Sequence, residues 1–293
     1  MQPFVTGRSI PQTVPPRSPR ETLPDMYDLP SEYLGEPGLP DEFHDLQPQL
    51  LSRTLALRHY AQDEWFTGAD LNLYYDVHHP LWYKRPDWFL AVGVPRLYDG
   101  HDLRRSYVTW QEGQNPYVVI EFLSPGTERE DLGRFYHADE NLEGSNESES
   151  LAAIANPTSS PLTADGQKPP SKLTMYEQSL RVPHYLVYHR LTQKLQYFQL
   201  RGGQYQEQPV LETNPQVWLA DLEIGLGLWQ GTFEGIPSHW LRWCQEDGTW
   251  LLTDTEQAQM QVLQGARNLL ATGMAVDQVA QLLGLSAEQI AQL

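Results

Sequence analysis

The chain has one cysteine, Cys244, in 293 residues. It cannot close an internal disulfide or build a thiolate metal site alone, which fits a reducing compartment and a small, buried, apolar role for the thiol. Long apolar runs are also missing. Nothing approaches the roughly eighteen residues needed to span a bilayer, and the amino terminus lacks the apolar core of a secretory signal. These absences predict a cytoplasmic protein with no membrane partner. Basic residues are scarce too, 20 Lys and Arg against 38 Asp and Glu, for a net charge of −18. Sequence-independent affinity for phosphate comes from clustered cations. A broad polyanion-binding surface is therefore excluded, and any DNA contact must be local, through Lys84-Arg85, Arg104-Arg105, Arg129 and Arg134, or be mediated by divalent cations. Solvated surface charge is the other reading of these residues.

The charge is unevenly spread. Residues 1–40 hold three basic and five acidic side chains among many prolines, and residues 136–171 hold one basic and six acidic. Neither stretch carries enough aliphatic surface to offset the entropy of ordering it. The first reads as a disordered Pro-rich arm and the second as a long polar insertion, at about 136–170. The rest is long enough for one main domain with appendages.

Between these stretches the periodicity changes. Leu50, Leu51, Leu55, Leu57 and Tyr60 recur near helical spacing, which predicts an amphipathic helix over 47–60. β-rich runs follow at 71–76, 86–92, 106–111 and 117–123, of which the second and fourth are almost continuously apolar. Continuous apolarity marks strands covered on both faces. After the insertion, Leu173, Tyr176 and Leu180 predict a helix over 171–181 with Ser171 as N-cap. A hairpin of 184–189 and 194–200 comes next. Residues 204–255 are rich in Trp and Gly, as expected of short antiparallel strands packed by aromatic side chains. Beyond 256 the spacing is helical again, with Gly273 and Gly284 separating one longer and two short helices. This tail has a single basic residue, Arg267, which favours packing or homo-oligomerisation through 256–293 over DNA reading.

Two acids interrupt the apolar strands: Asp87, which opens Asp87-Trp-Phe-Leu-Ala-Val92, and Glu121 in Val118-Val-Ile-Glu121-Phe. A carboxylate in such a strand costs several kcal/mol unless something pairs with it, so two at comparable places point to a shared cation. Alternation along a strand puts Asp87 on the face of Phe89 and Ala91, and Glu121 on the face of Tyr117, Val119 and Leu123. If the strands are neighbours, about 5 Å apart, both carboxylates reach one hard cation that prefers oxygen ligands. Such an ion can lower the pKa of bound water and neutralise charge developing on a phosphate oxygen. That chemistry also calls for a cationic side chain beside the attacking water. The position two residues after Glu121 is Leu123, and the nearest downstream candidate is Lys172, in the first turn of the helix that follows the insertion. The histidines, His78-His79 included, show no paired metal-ligand spacing on a helix face. Ser124 lacks the Gly-x-Ser-x-Gly turn of a nucleophilic serine.

The order Pro86-Asp87, Val119-Ile-Glu121-Phe-Leu-Ser124-Pro-Gly-Thr127 with Asp131, then Lys172-Leu-Thr-Met-Tyr176-Glu177 and Arg181-Val-Pro-His-Tyr185 resembles the Uma-two family of restriction-endonuclease-like proteins, part of the PD-(D/E)XK nuclease superfamily. The resemblance covers about residues 44–235. It implies an α/β fold, a restriction-endonuclease-like mixed sheet flanked by helices. To this the composition adds a Trp-rich β extension at 236–255 and a C-terminal helical tail at 256–293. The resemblance further implies that Asp87 and Glu121 hold Mg²⁺, with Mn²⁺ as substitute, and that Lys172 is the catalytic lysine moved from strand to helix. Asp131 matches the family motif and either orients Lys172, binds a second ion or is a solvated loop acid. Tyr176 or Glu177 would support the site from the helix of Lys172. Leu123 departs from the superfamily's Glu-x-Lys pattern, so catalysis depends on Lys172 being close in space. Hydrolysis of DNA is the activity implied. A nuclease-like fold used for binding, regulation or assembly without cleavage is the competing reading, favoured by Leu123 and the acidic surface.

Overall fold

The structure, a computed structural model, describes residues 41–124, 127–137 and 168–291. The Pro-rich arm and most of the polar insertion fall outside them. Helix α1 (Glu42–Thr54) begins five residues before the predicted start because the Asp41 side chain accepts from the Phe43 and His44 amides. An N-cap of this kind satisfies amides that have no partner within the helix. Pro48 lies in the second turn, and the helix ends at Leu55, whose backbone is extended, well short of residue 60. Its buried face, Phe43, Gln47, Leu50, Leu51 and Thr54, follows the helical repeat.

The main sheet has six strands: β1 (Trp65–Gly68), β4 (Trp88–Val92), β6 (Val118–Phe122), β7 (His184–His189), β8 (Lys194–Arg201) and β9 (Gln204–Gln208), side by side in that order. Only β6 and β7 run parallel; every other pair is antiparallel. A parallel pair needs a crossover. Here it carries α3 (Glu128–Leu132), a 3₁₀ turn (Gly133–Phe135), and α4 (Lys172–Thr174), which widens into a π-helical turn at Met175–Ser179. Ser171 caps α4 as expected, its Oγ accepting from the Thr174 amide at 3.3 Å.

Strands β4 and β6 are buried along their whole length, as their unbroken apolarity predicts. One face of the sheet sends Trp88, Leu90, Val118, Ile120 and Phe122 into a core shared with α1 and with Trp240 and Trp243. The other sends Phe89, Ala91, Val119 and Leu123 into a core with Leu173, Met175 and Tyr176 of the crossover. Tyr117 does not follow Val119 and Leu123, since it packs against the first core. A small second sheet places β2 (Leu73–Tyr74) between β3 (Tyr83–Lys84) and β5 (Tyr107–Val108). Of the predicted strand 106–111 only β5 is extended. Helix α2 (Thr109–Glu112) takes over, closed by Gly113 in the left-handed region that glycine enters without a Cβ clash. Strands β1 and β3 were not anticipated, each being too short to show a period.

The extension is a three-stranded antiparallel sheet of β10 (Gln216–Leu219), β11 (Ile224–Phe233) and β12 (Ile236–Cys244). The expected boundary at 235 falls in the turn between β11 and β12, so it divides one hairpin. Gln47 of α1 clamps β12 from the other side: its amide donates to the Leu241 carbonyl and accepts from the Leu241 amide, both at 2.8 Å. Cys244 is a buried free thiol, and a Cβ on Gly225 would come within 2.6 Å of its Sγ. The tail forms α5 (Asp254–Ala271), α6 (Val276–Leu283) and α7 (Ala287–Ala291), with Gly273 and Gly284 in left-handed conformation at the breaks. Ala266, Val279 and Ile290 form a separate small core. Among the described residues no helix is long and apolar enough to cross a membrane.

Candidate active site

The β4–β6 register pairs Trp88 with Ile120, so the residues flanking that pair, Asp87 and Glu121, face each other at the end of the ladder. Each carboxylate caps the other strand's backbone. The Phe122 amide donates to Asp87 Oδ2 at 2.6 Å, and the Asp87 amide to Glu121 Oε2 at 3.2 Å. Asp87 is half-buried and Glu121 fully buried. The two strands thus deliver both acids to one point, from opposite directions.

The crossover covers that point. Lys172 Nζ donates to Glu121 Oε2 at 3.0 Å and lies 3.2 Å from Asp131 Oδ1, close enough for an ion pair although not aligned for a hydrogen bond. Tyr176, one turn further, donates its hydroxyl to Glu121 Oε1 at 2.6 Å. The Tyr185 hydroxyl on β7 donates to the Asp131 carbonyl at 2.9 Å, fixing α3 against the sheet. Asp131, 1 % exposed, is therefore not a solvated loop acid. Glu177 goes elsewhere: it takes two hydrogen bonds from Arg134 and one from the Tyr205 amide, which ties the crossover to β9 and away from the carboxylates. Of the six residues singled out from sequence, five meet and one does not.

Burial sets the protonation of this group. It pushes the Glu121 carboxyl up to about 7 against the pull of the Lys172 ammonium, and neighbouring Asp87 pushes the same way. Asp131 is likewise raised by burial to about 7, again against Lys172 and with Glu121 adding to the rise. Lys172 is held well above its usual value, because Asp131, Glu121 and Asp87 outweigh its own desolvation. Burial together with the charge of Glu121 raises Tyr176 further, so it stays a donor.

Sequence reasoning offered Lys84 as a DNA contact or a surface charge and missed its burial beside the site. Lys84 of β3, 3 % exposed, pairs with Glu130, the neighbour of Asp131 on α3. Its signal was position alone, three residues before Asp87. With it the neighbourhood has four carboxylates, Asp87, Glu121, Glu130 and Asp131, and two ammonium groups.

Several of the local cations considered for DNA contact are already engaged within the fold. Besides Lys84, Arg85 pairs with Asp70 at 2.6 Å, Arg104 with Glu112 at 2.8 Å and Arg134 with Glu177. Histidines His44, His59, His79 and His101 each have an acidic neighbour of their own. Ser124 is buried against Thr127.

A hard divalent ion fits what is present. The donors are carboxylate oxygens, and Asp87 Oδ1 and Asp131 Oδ1 have no hydrogen bond among the described residues. No group of three or more His, Cys, Asp or Glu converges as a ready metal cage among those residues. Asp87 and Glu121 would hold such an ion with backbone oxygens or waters completing its shell, the habit of Mg²⁺.

A mixed sheet flanked by helices, with an acid at the end of each of two central strands and a lysine from the crossover, defines a restriction-endonuclease-like α/β protein. The Uma2 family model, described as "Putative restriction endonuclease", matches residues 21–232, and the chain belongs to that family. No curated protein and no solved structure matches it.

Proposed function

We propose that this protein is a metal-dependent endonuclease that hydrolyses DNA phosphodiester bonds, using Mg²⁺ with Mn²⁺ as substitute. The observation that carries the reading is the bond from Lys172 to Glu121, which brings an ammonium group to the carboxylate although the residue two further along the chain is Leu123. A bound divalent ion would supply charge neutralisation at the scissile phosphate and a more acidic water. Asp87 and Glu121 would hold the ion. Lys172, kept cationic by the surrounding carboxylates, orients the water that attacks phosphorus and stabilises the charge that gathers on the phosphate oxygens. The P–O bond to the leaving sugar breaks as the water oxygen bonds to phosphorus, the attacking water giving up a proton to solvent and the leaving sugar oxygen taking one from solvent. Tyr176 holds the Glu121 carboxylate in place, and Asp131 positions Lys172.

Two measurements test this. Purified protein with plasmid DNA and Mg²⁺ or Mn²⁺ should nick, with Glu121→Ala and Lys172→Ala lowering the rate at least ~100-fold, the scale of one lost electrostatic group. Equal nicking by all three proteins means a contaminant. Calorimetry should show binding of the ion to wild type and none to Asp87→Ala. At a hundred times Kd the ion should add about 2.7 kcal/mol of stability to wild type only.

The acidic surface and the internally paired arginines favour a second reading, a nuclease-like fold that binds or assembles without cutting. It predicts metal binding with no cleavage of any DNA. Exposed Met260, Val262, Val276 and Leu282 on the tail helices would then bring copies together. Removing 256–293 should lower the mass in solution. The lone buried thiol suits the cytoplasm under either reading.

A further inference from the structure

An open cavity of about 560 Å³ lies at the end of β6 remote from Glu121. Trp110 of α2, Asn115, and Tyr117 at the entry to β6 form one side, and Leu180, Arg181 and Pro183 after the π-helical turn form the other. The volume is ordinary for a small-ligand pocket. Its composition is not ordinary for this chain: against a net charge of −18, no carboxylate among the described residues lines it.

Two lining residues stand out. Trp110 is 37 % exposed, offering an aromatic face that the core does not use. Arg181 is exposed and makes no ion pair among the described residues, unlike Arg85, Arg104 and Arg134. Its backbone, at φ +53°, is the left-handed step that closes the π-helical turn, with the Val182 amide donating to the Tyr176 carbonyl at 2.9 Å. An exposed guanidinium with no ion pair beside a cavity is available to an anionic ligand. The guanidinium lies near Gly203 in the β8–β9 turn, where a Cβ would come within 3.8 Å of Arg181 Nη2.

We propose that this cavity is a subsite for one unpaired nucleotide, with the base stacked on Trp110 and the phosphate on the Arg181 guanidinium. Stacking on an aromatic side chain is how proteins hold bases without reading their sequence, and a guanidinium matches phosphate geometry. From Tyr117 to Glu121 the strand rises roughly 13 Å, so a strand seated here reaches the carboxylates within a few nucleotides. The helical segment that brings Lys172 and Tyr176 to Glu121 ends at the cavity, linking the two places through one element. Binding here does not require the carboxylates to cleave anything.

The test is fluorescence anisotropy of the full chain in EDTA with a labelled single-stranded oligodeoxynucleotide, competed by dAMP, deoxyadenosine, inorganic phosphate and a blunt duplex. The oligonucleotide should bind, and dAMP should compete at least tenfold better than deoxyadenosine, phosphate or duplex. Tighter binding of the oligonucleotide than of dAMP assigns the subsite to a strand, and equal binding to free nucleotides. Arg181→Gly should weaken binding tenfold or more without lowering Tm, since glycine adopts that backbone freely; Trp110→Ala should also weaken it. In EDTA no cleavage occurs, and dAMP is too short to reach the carboxylates, so this subsite reads out separately from cleavage. Wild-type affinity in Arg181→Gly, equal competition by phosphate alone, or no binding by wild type would overturn the proposal.

Discussion

Lys172 and Glu121, 51 positions apart, meet at 3.0 Å between Nζ and Oε2 in a pocket where neither is more than a tenth exposed. The ammonium also faces Asp131, so one cation serves two buried acids.

Removing that cation leaves both acids without it. Lys172→Met should cost about 3–5 kcal/mol of stability at pH 8, the usual loss when one partner of a buried pair is taken away. At pH 5 the orphaned carboxyls take up protons, and the cost should shrink. Urea unfolding at the two pH values measures it; an equal loss at both would show that the pair is not what the lysine stabilises.

Wild-type stability should fall as pH rises. Glu121 and Asp131 are raised by burial from 4.5 and 3.8 to about 7 in the folded chain. Across that interval the folded state holds more protons than the unfolded one, so their contribution is full below about pH 4 and lost as pH passes 7. Glu121→Gln should flatten the profile. A slope unchanged by the substitution would move the titration to other groups.

Tyr176→Phe keeps the ring in the core and removes the donor to Glu121 Oε1. A buried acceptor left unsatisfied costs roughly 1–3 kcal/mol, and under the proposed mechanism cleavage should fall with kcat rather than KM, because Glu121 loses its orientation. Thermal unfolding and steady-state rates separate the two effects.

On the other face of the sheet His184 joins Asp221 and Tyr197, at 2.9 and 2.8 Å, and Tyr117 donates to the same Asp221. Burial raises the Asp221 carboxyl, but the hydrogen bonds from His184 and Tyr117 outweigh it and hold it at about 2. Its contribution is therefore present above about pH 4 and lost as pH falls toward 2. Asp221→Asn should unfold at a higher pH on acidification, and an unchanged acid midpoint would exclude a stabilising role for this clasp between β7 and the β10–β11 turn.

Much of this protein was determined by local chemistry. The unbroken apolarity of β4 and β6 called for strands covered on both faces, and a lone acid in each called for a partner. Ser171 and the spacing of Leu173, Tyr176 and Leu180 marked the start and buried face of the crossover helix, and Gly273 and Gly284 set the breaks of the tail. These are signals of period, propensity and capping, carried by neighbours in the chain. Tertiary structure decided the rest. Whether Asp131 orients Lys172 or is a solvated loop acid, and whether Lys84 is a free cation, stayed open in the sequence because nothing near them says that α3 and β3 close over the strand ends. Glu177 shares a helix with Tyr176, yet the one-residue step turns it toward Arg134 and Tyr205. The two-residue strands β2, β3 and β5 rest on pairings between segments that are apart in the chain. A register or a buried ion pair is a property of two segments together, and neither segment encodes it alone.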